Sequence, residues 1–341
     1  MGPHARTFVV ALACAAVWVA TPSHAEDRTQ LTVYSSYVPE DLRLLEEAFE
    51  RAHPEIDVVF LRDLPGVLAA RLLAEKDDRH ADVINGLAAT TLERLDEQGM
   101  LEPYAPKGAE KLDARFLDKS SPPHWVGMGV YGTVVCFNPK EAEAKGLPKP
   151  SSWADLAKPV YAGQLLMPNP TSSDIGFLAL SAWLQLMGEE NGWKFTEALD
   201  KNIAHYTHSA SQACQRVGTG EYAVGITFDV RAAREKAKGA PIDVLFMSEG
   251  AGWDVDGFAI VKGTDKLKAA KAFVDWSASE EAMGLYAKVY PIVAMPGMAK
   301  EVPGLPPGLS DHMIPNDLAW AAANRQRIVA EWERRFGTRG E

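Results

Sequence analysis

The chain has 341 residues, of which 47% are hydrophobic and 24% are charged, with 35 Lys and Arg against 46 Asp and Glu. The net charge is −11 and the sequence has no basic cluster, so we do not expect the protein to bind nucleic acid. The length exceeds what one hydrophobic core usually organises, so the sequence predicts two domains.

The N-terminus has the pattern of a secretory signal peptide. His4 and Arg6 precede an apolar run, Phe8–Ala20, and Ser23–Ala25 supplies the small residues of a cleavage site. The run is shorter than the roughly 20 residues that span a bilayer, which disfavours the alternative of an uncleaved membrane anchor. We predict cleavage after Ala25, a periplasmic location and a mature net charge of 34 − 46 = −12, since only Arg6 is lost.

Strands and helices alternate in the first part of the mature chain. Their pattern of apolar residues is typical of a parallel α/β sheet. The predicted elements are the strands Leu31–Tyr34, Ile56–Leu61 and Ala81–Ile84 and the helices Pro39–His53 and Val67–Lys76. Ligands of such sheets bind beyond the carboxyl ends of the strands. We therefore expect Ser36, Tyr37 and Thr90, from the segments Ser35–Tyr37 and Asn85–Thr90, to contact a ligand.

Two extended runs are predicted to cross between the domains. They are Val126–Phe137 and Trp253–Val261, with a second alternation of strands and helices between them. The later predicted elements are the helices Lys266–Ser277 and Glu280–Lys288, a Pro-rich crossing at Pro291–Pro307 and a helix at Asn316–Phe336. We predict an N-terminal lobe of residues 26–131 plus 255–293 and a C-terminal lobe of residues 132–254 plus 294–341.

The segment Pro168–Gly176 is the most informative local feature. It precedes a predicted apolar helix, so it offers free backbone N–H groups, and it adds the hydroxyls of Thr171, Ser172 and Ser173. Ordinary helix capping would explain one such segment. However, a second helix start repeats the pattern with Ser209 and Ser211. The repetition predicts an anion site.

Acidic and aromatic residues offer a complementary cation site. Asp229 either caps the following helix or accepts hydrogen bonds from a ligand cation. Trp253 and Asp254 belong either to the core or to the ligand site, and the sequence leaves both roles open. Aromatic rings beside carboxylates suit an ammonium group, and the candidate rings are Tyr37, Phe228 and Trp253.

The residues give little support to catalysis or to metal binding. The sequence has no G-x-S-x-G, H-E-x-x-H, C-x-x-C or phosphate-binding glycine–lysine motif, so we predict no catalytic residues, cofactor or metal site. His205 and His208 have the spacing of a metal pair but lack a clear third ligand. Cys136 and Cys214 are either joined by a disulfide, which an oxidising compartment permits, or free and buried.

Several segments resemble the 2-aminoethylphosphonate-binding proteins of ABC importers, a group within the ferric-iron-type periplasmic binding proteins. The resemblance runs through nearly the whole mature chain. The matching segments are Leu87–Thr90, Leu95–Lys107, Met167–Pro170, Ser181–Gln185, Tyr206–Ser209, Lys236–Asp243 and Asn316–Arg325. The resemblance implies an α/β, type 2 periplasmic binding protein fold, in which two lobes close on a ligand in a hinged cleft. It also implies a monomer that delivers a small zwitterionic or anionic ligand to an inner-membrane ABC permease.

On matching positions, the resemblance implies a phosphonate at Thr171–Ser173 and Ser209–Ser211, with the amino group near Asp229 and Asp254. Asp174 departs from the family, which has a Gly-Thr-Gly-like turn here. Its carboxylate would oppose an anion by roughly 4 kcal/mol at 4 Å and an effective dielectric of about 20, unless it turns away.

Four other functions remain as alternatives. Ferric iron, a sugar phosphate or a polyamine would be another binding function, although iron favours adjacent tyrosines and the chain has no Tyr-Tyr pair. A secreted phosphoester hydrolase is the alternative from a different class, and no nucleophile–base pair supports it.

Overall fold

The structure is a computed structural model that describes Gly2 and residues 28–337. The predicted signal peptide and its cleavage site lie outside the described residues and stay predictions. Within these ranges, no helix has both the length and the apolar character needed to cross a membrane.

The first part of the chain forms three parallel strands connected by helices. Its elements are β1 (Thr29–Ser35), α1 (Pro39–Ala52), β2 (Ile56–Arg62), α2 (Pro65–Ala74), β3 (Val83–Ala88) and α3 (Ala89–Glu97). Helix α1 begins with Pro39 at its first turn, where no intrahelical N–H donor is needed, and it buries Leu42, Leu45 and Phe49 against the sheet. The predicted parallel order is confirmed, with β1 between β2 and β3.

A long strand then leads into a second group of elements, and the chain finally returns to the first. The second group is β4 (Val126–Phe137), α4 (Pro139–Ala144), α5 (Trp153–Leu156), β5 (Leu165–Pro168), α6 (Asp174–Met187), α7 (Glu189–Asp200), β6 (Ile203–Thr207), α8 (Ala210–Gly218), β7 (Val224–Phe228), α9 (Asp229–Ala237) and β8 (Asp243–Leu245). The remaining elements are β9 (Trp253–Ile260), α10 (Leu267–Ser277), α11 (Glu280–Tyr286), β10 (Ile292–Val293), α12 (Leu309–His312) and α13 (Leu318–Phe336).

Strand β4 belongs to both halves of a continuous sheet, whose order is β2-β1-β3-β9-β4-β7-β5-β6. Its first half pairs with β9 and its second half with β7, both antiparallel. All of its residues are buried, which explains why the run is apolar except for Thr133. The α/β architecture predicted from the sequence is confirmed, and β4 and β9 form the connection between the two groups of elements.

The buried side chains form two large clusters, one mainly in the first group of elements and one in the second. One core contains Phe49, Phe116 and Phe273, and the other contains Trp153, Trp183 and Trp332. Trp332 lies on α13, and its ring packs 5.0 Å from that of Tyr206. The last helix therefore packs against the second group of elements. The lobe boundaries that we proposed stay a prediction, and below the first and second lobe denote the first and second group of elements.

Cys136 and Cys214, whose pairing the sequence left open, form a disulfide in the structure. Their Cα atoms are 5.6 Å apart, and the bond joins β4 to α8. Both residues are completely buried in a small apolar cluster with Val134 and Val217. The bridge therefore fixes α8, whose N-terminus lines the cavity described below, to the strand that connects the lobes.

One local prediction is wrong. We expected Asn85–Thr90 to be a loop, but β3 continues through Ala88 because it pairs with β9, with Leu87 opposite Gly257. The register shifts between Asn85 and Leu87, where Gly86 has a φ of 86° that only glycine adopts readily. This pairing joins segments far apart in sequence, so local patterning could not indicate it.

Candidate functional site

A cavity of about 210 Å³ lies between the lobes. The first lobe contributes Ser36 and Tyr37, which follow β1, and Arg62 at the end of β2. The second lobe contributes residues at the starts of α6 and α8 and along α9; these include Ser172, Ser173, Asp174, Ser209, Ser211, Phe228 and Arg231. The cavity thus lies beyond the carboxyl ends of parallel strands in both lobes, where α/β proteins bind ligands.

Two helix N-termini meet in the wall of the cavity. Ser173 caps α6, with its Oγ accepting from the N–H of Gly176 at 3.4 Å. The Oγ of Ser172 donates to the backbone oxygen of His208 at 3.0 Å and so ties this loop to the one before α8. The first N–H groups of a helix have no intrahelical partner and carry its positive dipole end. Their convergence makes this wall suited to an anion.

Three arginines also line the cavity, and none of them was predicted as a ligand residue from the sequence. Arg62 donates from Nε to the backbone oxygen of Tyr37 at 3.3 Å. Arg231 donates from Nη1 to Glu235 at 3.0 Å, but its Nε is buried without a hydrogen-bond partner among the described residues. An N–H group of this kind is costly unless a ligand accepts from it.

The third arginine connects the lobes directly. Arg234, on α9 of the second lobe, donates to the carboxylate of Asp41, on α1 of the first lobe. Both residues line the cavity, and their side chains are 30% and 21% exposed. The i, i+3 spacing of Arg231 and Arg234 places them on one face of α9 and could have indicated a shared site. However, such pairs of arginines usually lie on solvated helix faces.

Asp256, which also lines the cavity, is hydrogen-bonded to Tyr290, and Tyr290 in turn contacts Tyr37. The hydroxyl of Tyr290 donates to Asp256 Oδ2 at 2.6 Å and lies 2.8 Å from the hydroxyl of Tyr37. Burial, with a smaller contribution from Asp254 and Asp174, raises the pKa of Asp256 to about 7. A ligand cation here would favour the ionised carboxylate.

The two carboxylates that we expected to bind a cation do not line the cavity in this structure. Asp254 accepts from Thr90 Oγ1 at 2.7 Å, so these two predicted ligand residues contact each other instead. Asp229 is the first residue of α9 and accepts from the N–H of Val230 at 2.7 Å. Burial raises the pKa of both carboxyls to about 7.

Two further predicted ligand residues also lie outside the cavity lining. Trp253 is buried, with its Nε1 donating to the backbone oxygen of Ile314 at 2.8 Å and its ring packed against Phe116. Thr171 is exposed, and its N–H and Oγ1 both donate to Asn169 Oδ1, at 2.8 and 2.7 Å. Thr171 therefore forms a local turn, and the serines after it approach the cavity.

Within the described part of the chain, one cluster of residues that could ligate a metal ion lies outside the cavity. Ligand atoms of Asp96, Asp118 and His124 lie within 4.8 Å of one another in the first lobe. The backbone N–H of His124 donates to Asp118 at 2.7 Å, and its Nδ1 lies 2.5 Å from Asp96 Oδ1. These hydrogen bonds account for the arrangement, and we assign no metal to it.

The chain is similar to known proteins over most of its length. Residues 78–318 match the family model described as bacterial extracellular solute-binding protein. The chain is 30% identical over 295 residues to the probable ABC transporter periplasmic-binding protein y4fP of Sinorhizobium fredii, covering 84% of this chain and 79% of y4fP.

Two solved structures have similar folds. The structure of the periplasmic binding protein AfuA from Actinobacillus pleuropneumoniae, with exogenous fructose-6-phosphate bound, aligns with a TM-score of 0.82 and 26% identity, covering 91% of this chain and 99% of AfuA. Iron-bound HitA from Pseudomonas aeruginosa aligns with a TM-score of 0.77 and 21% identity, covering 89% and 99%. At that identity, HitA shows a shared fold alone.

Proposed function

The chain belongs to the bacterial extracellular solute-binding protein family, and from this premise we propose that its cavity captures a small phosphonate or phosphate, with 2-aminoethylphosphonate as the leading candidate. Its general role is that of a periplasmic solute-binding protein of the ABC transporter type, whose partner is a membrane permease. Binding proteins of this kind carry solutes and make or break no covalent bond. Export through the predicted signal peptide is part of the proposal.

The meeting of two helix N-termini is the observation that carries the proposal. The serines at the starts of α6 and α8 line the same cavity as Arg231, whose Nε has no partner among the residues described. A phosphonate or phosphate has three oxygens that accept hydrogen bonds from N–H, hydroxyl and guanidinium groups at once. A neutral solute or a polyamine would leave these donors unsatisfied.

Asp256 supports the choice of a solute that also carries an ammonium group. It lines the cavity, and we assign to it the role that the sequence resemblance gave to Asp229 and Asp254. The ring of Tyr290 lies beside it, and an ammonium group gains from both a carboxylate and aromatic faces. We therefore retain 2-aminoethylphosphonate, with the phosphonate at the serines and the ammonium at Asp256.

A sugar phosphate is the second candidate. The structure of AfuA has exogenous fructose-6-phosphate bound, and AfuA is 26% identical to this chain. Ferric iron has less support, because the chain has no pair of adjacent tyrosines to supply phenolate ligands.

A thermal-shift screen of the mature protein tests this assignment. The ligands are 2-aminoethylphosphonate, fructose-6-phosphate, inorganic phosphate, spermidine and ferric citrate. A ligand present at 100 times its dissociation constant stabilises the folded state by about 2.7 kcal/mol, which is several degrees for a protein of this size. We expect the largest shift with 2-aminoethylphosphonate. A shift with only spermidine or ferric citrate would contradict the proposal.

Proton release on binding is a specific prediction for Asp256. At pH 6.5 its carboxyl is largely protonated, because its pKa is about 7 in the protein. Pairing with an ammonium lowers that pKa, so binding of 2-aminoethylphosphonate should release part of a proton, and affinity should rise between pH 6 and 8. Calorimetric titrations in two buffers with different ionisation enthalpies measure this release.

Two controls separate this release from ionisation of the phosphonate itself. Ethylphosphonate lacks the amine and should release less from Asp256. The Asp256→Asn variant should bind both ligands with the same, smaller proton change. Equal proton release by the wild type and by Asp256→Asn would show that Asp256 does not meet the ammonium group.

A further inference from the structure

Asp174 places a carboxylate in the wall that we assign to an anion. It is the first residue of α6 and lines the cavity. An unpaired carboxylate at this position would repel a phosphonate or phosphate and would cancel part of the positive dipole end of the helix. The anion site therefore requires something that compensates the charge of Asp174.

Arg325, on the last helix α13, compensates the charge of Asp174. Its Nη2 donates to Asp174 Oδ1 at 2.6 Å, and the two side chains are only 13% and 14% exposed. The guanidinium carbon lies 4.4 Å from the ring centroid of Phe177, on the next part of α6. The ion pair thus fixes the carboxylate of Asp174 to Arg325 of α13.

A second arginine also interacts with Asp174, whose surroundings include the carboxyls of Asp254 and Asp256 as well. Arg94, on α3 of the first lobe, is half-buried, and its pKa is lowered by burial first and then by the charge of Arg325, while Asp174 raises it. Arg325 also has a buried Nη1 without a hydrogen-bond partner among the described residues. Two guanidinium groups therefore act on the carboxylate of Asp174.

We propose that Arg325 is a specificity-determining positioning residue, which lets the N-terminus of α6 accept an anion by holding the carboxylate of Asp174. This inference rests on the proposed function, since it concerns the same cavity. Arg325 does not line the cavity, so it acts through Asp174 and not by touching the solute.

A double-variant comparison tests the proposal, with inorganic phosphate and 2-aminoethylphosphonate as ligands in calorimetric titrations. Arg325→Met keeps an unbranched apolar stem on Phe177 but frees the carboxylate of Asp174. We expect the affinity for both ligands to fall at least about tenfold. In Asp174→Asn/Arg325→Met no free carboxylate remains, and the affinity should return to within about threefold of that of Asp174→Asn. Arg325→Lys should retain most of the affinity.

Arg327→Met is the matched control. Arg327 lies on the same helix but pairs with Glu189 on the exposed surface, so its loss should leave affinity unchanged. A purely structural role of Arg325 predicts that Arg325→Met and the double variant lose affinity alike, and that result would overturn the proposal. Wild-type affinity in Arg325→Met would also overturn it while leaving the proposed function standing. Failure of the wild type to bind either anion would overturn both.

Discussion

Gly176→Ala is expected to abolish solute binding and to destabilise the second lobe. A Cβ at this position would lie 2.4 Å from the backbone oxygen of Pro168 and 2.8 Å from the carbonyl carbon of Asn169. Both neighbours are backbone atoms, so the first turn of α6 must move away from the end of β5. Overpacking of this kind typically costs about 1–3 kcal/mol.

The displaced helix start should lose its contacts with the anion. Two hydrogen bonds to a charged group contribute about 1.5–3 kcal/mol each, so the affinity should fall at least about a hundredfold. Thermal melting and calorimetric titration measure the two effects separately. Gly284→Ala is the control, because its Cβ would meet only the Met298 side-chain carbon at 3.7 Å, an ordinary contact. Wild-type affinity in Gly176→Ala would show that the α6 N-terminus does not hold the solute.

Removal of the disulfide is expected to cost the second lobe much of its stability. The bond between Cys136 and Cys214 closes a segment with a sequence separation of 78 residues. The chain-entropy model gives about 4.5 kcal/mol for a loop of this length. The double variant Cys136→Ala/Cys214→Ala should therefore unfold at a clearly lower urea concentration than the oxidised wild type.

Reducing agent provides the control for this comparison. It should lower the unfolding midpoint of the wild type towards that of the double variant and leave the double variant unchanged. If oxidised wild type and double variant unfold at the same urea concentration, the bridge contributes nothing to the stability of the folded lobe, contrary to our expectation.

The sequence could predict those parts of the fold that depend on local patterning. Strand β4 was predicted at its observed bounds, because burial on both faces makes Val126–Phe137 apolar except for Thr133. The helix starts after Ser173 and Ser209 were also indicated, since serine at an N-cap is a local preference. The continuation of β3 to Ala88 could not be predicted, because it depends on pairing with β9.

The charged groups around the cavity depend on tertiary contacts. Arg62 and Arg234 have the appearance of ordinary surface arginines in the sequence, and only the approach of the two lobes brings them to one cavity. Arg325 pairs with Asp174 across 151 positions of the chain. The sequence therefore indicated that the carboxylate of Asp174 would oppose an anion, but it could not indicate the arginine that compensates this charge. Asp256 lies two residues after Asp254, and strand alternation alone did not distinguish which of the two lines the cavity.

Calorimetric titration with 2-aminoethylphosphonate tests the central claim most directly, using the wild-type chain without its predicted signal peptide and its Arg231→Met variant. We predict single-site, saturable binding by the wild type and at least about a tenfold loss of affinity in Arg231→Met, because the variant removes a guanidinium from the anion wall. Absence of binding of any phosphonate or phosphate by the folded wild type, together with clear binding of a solute that carries neither group, would contradict the account.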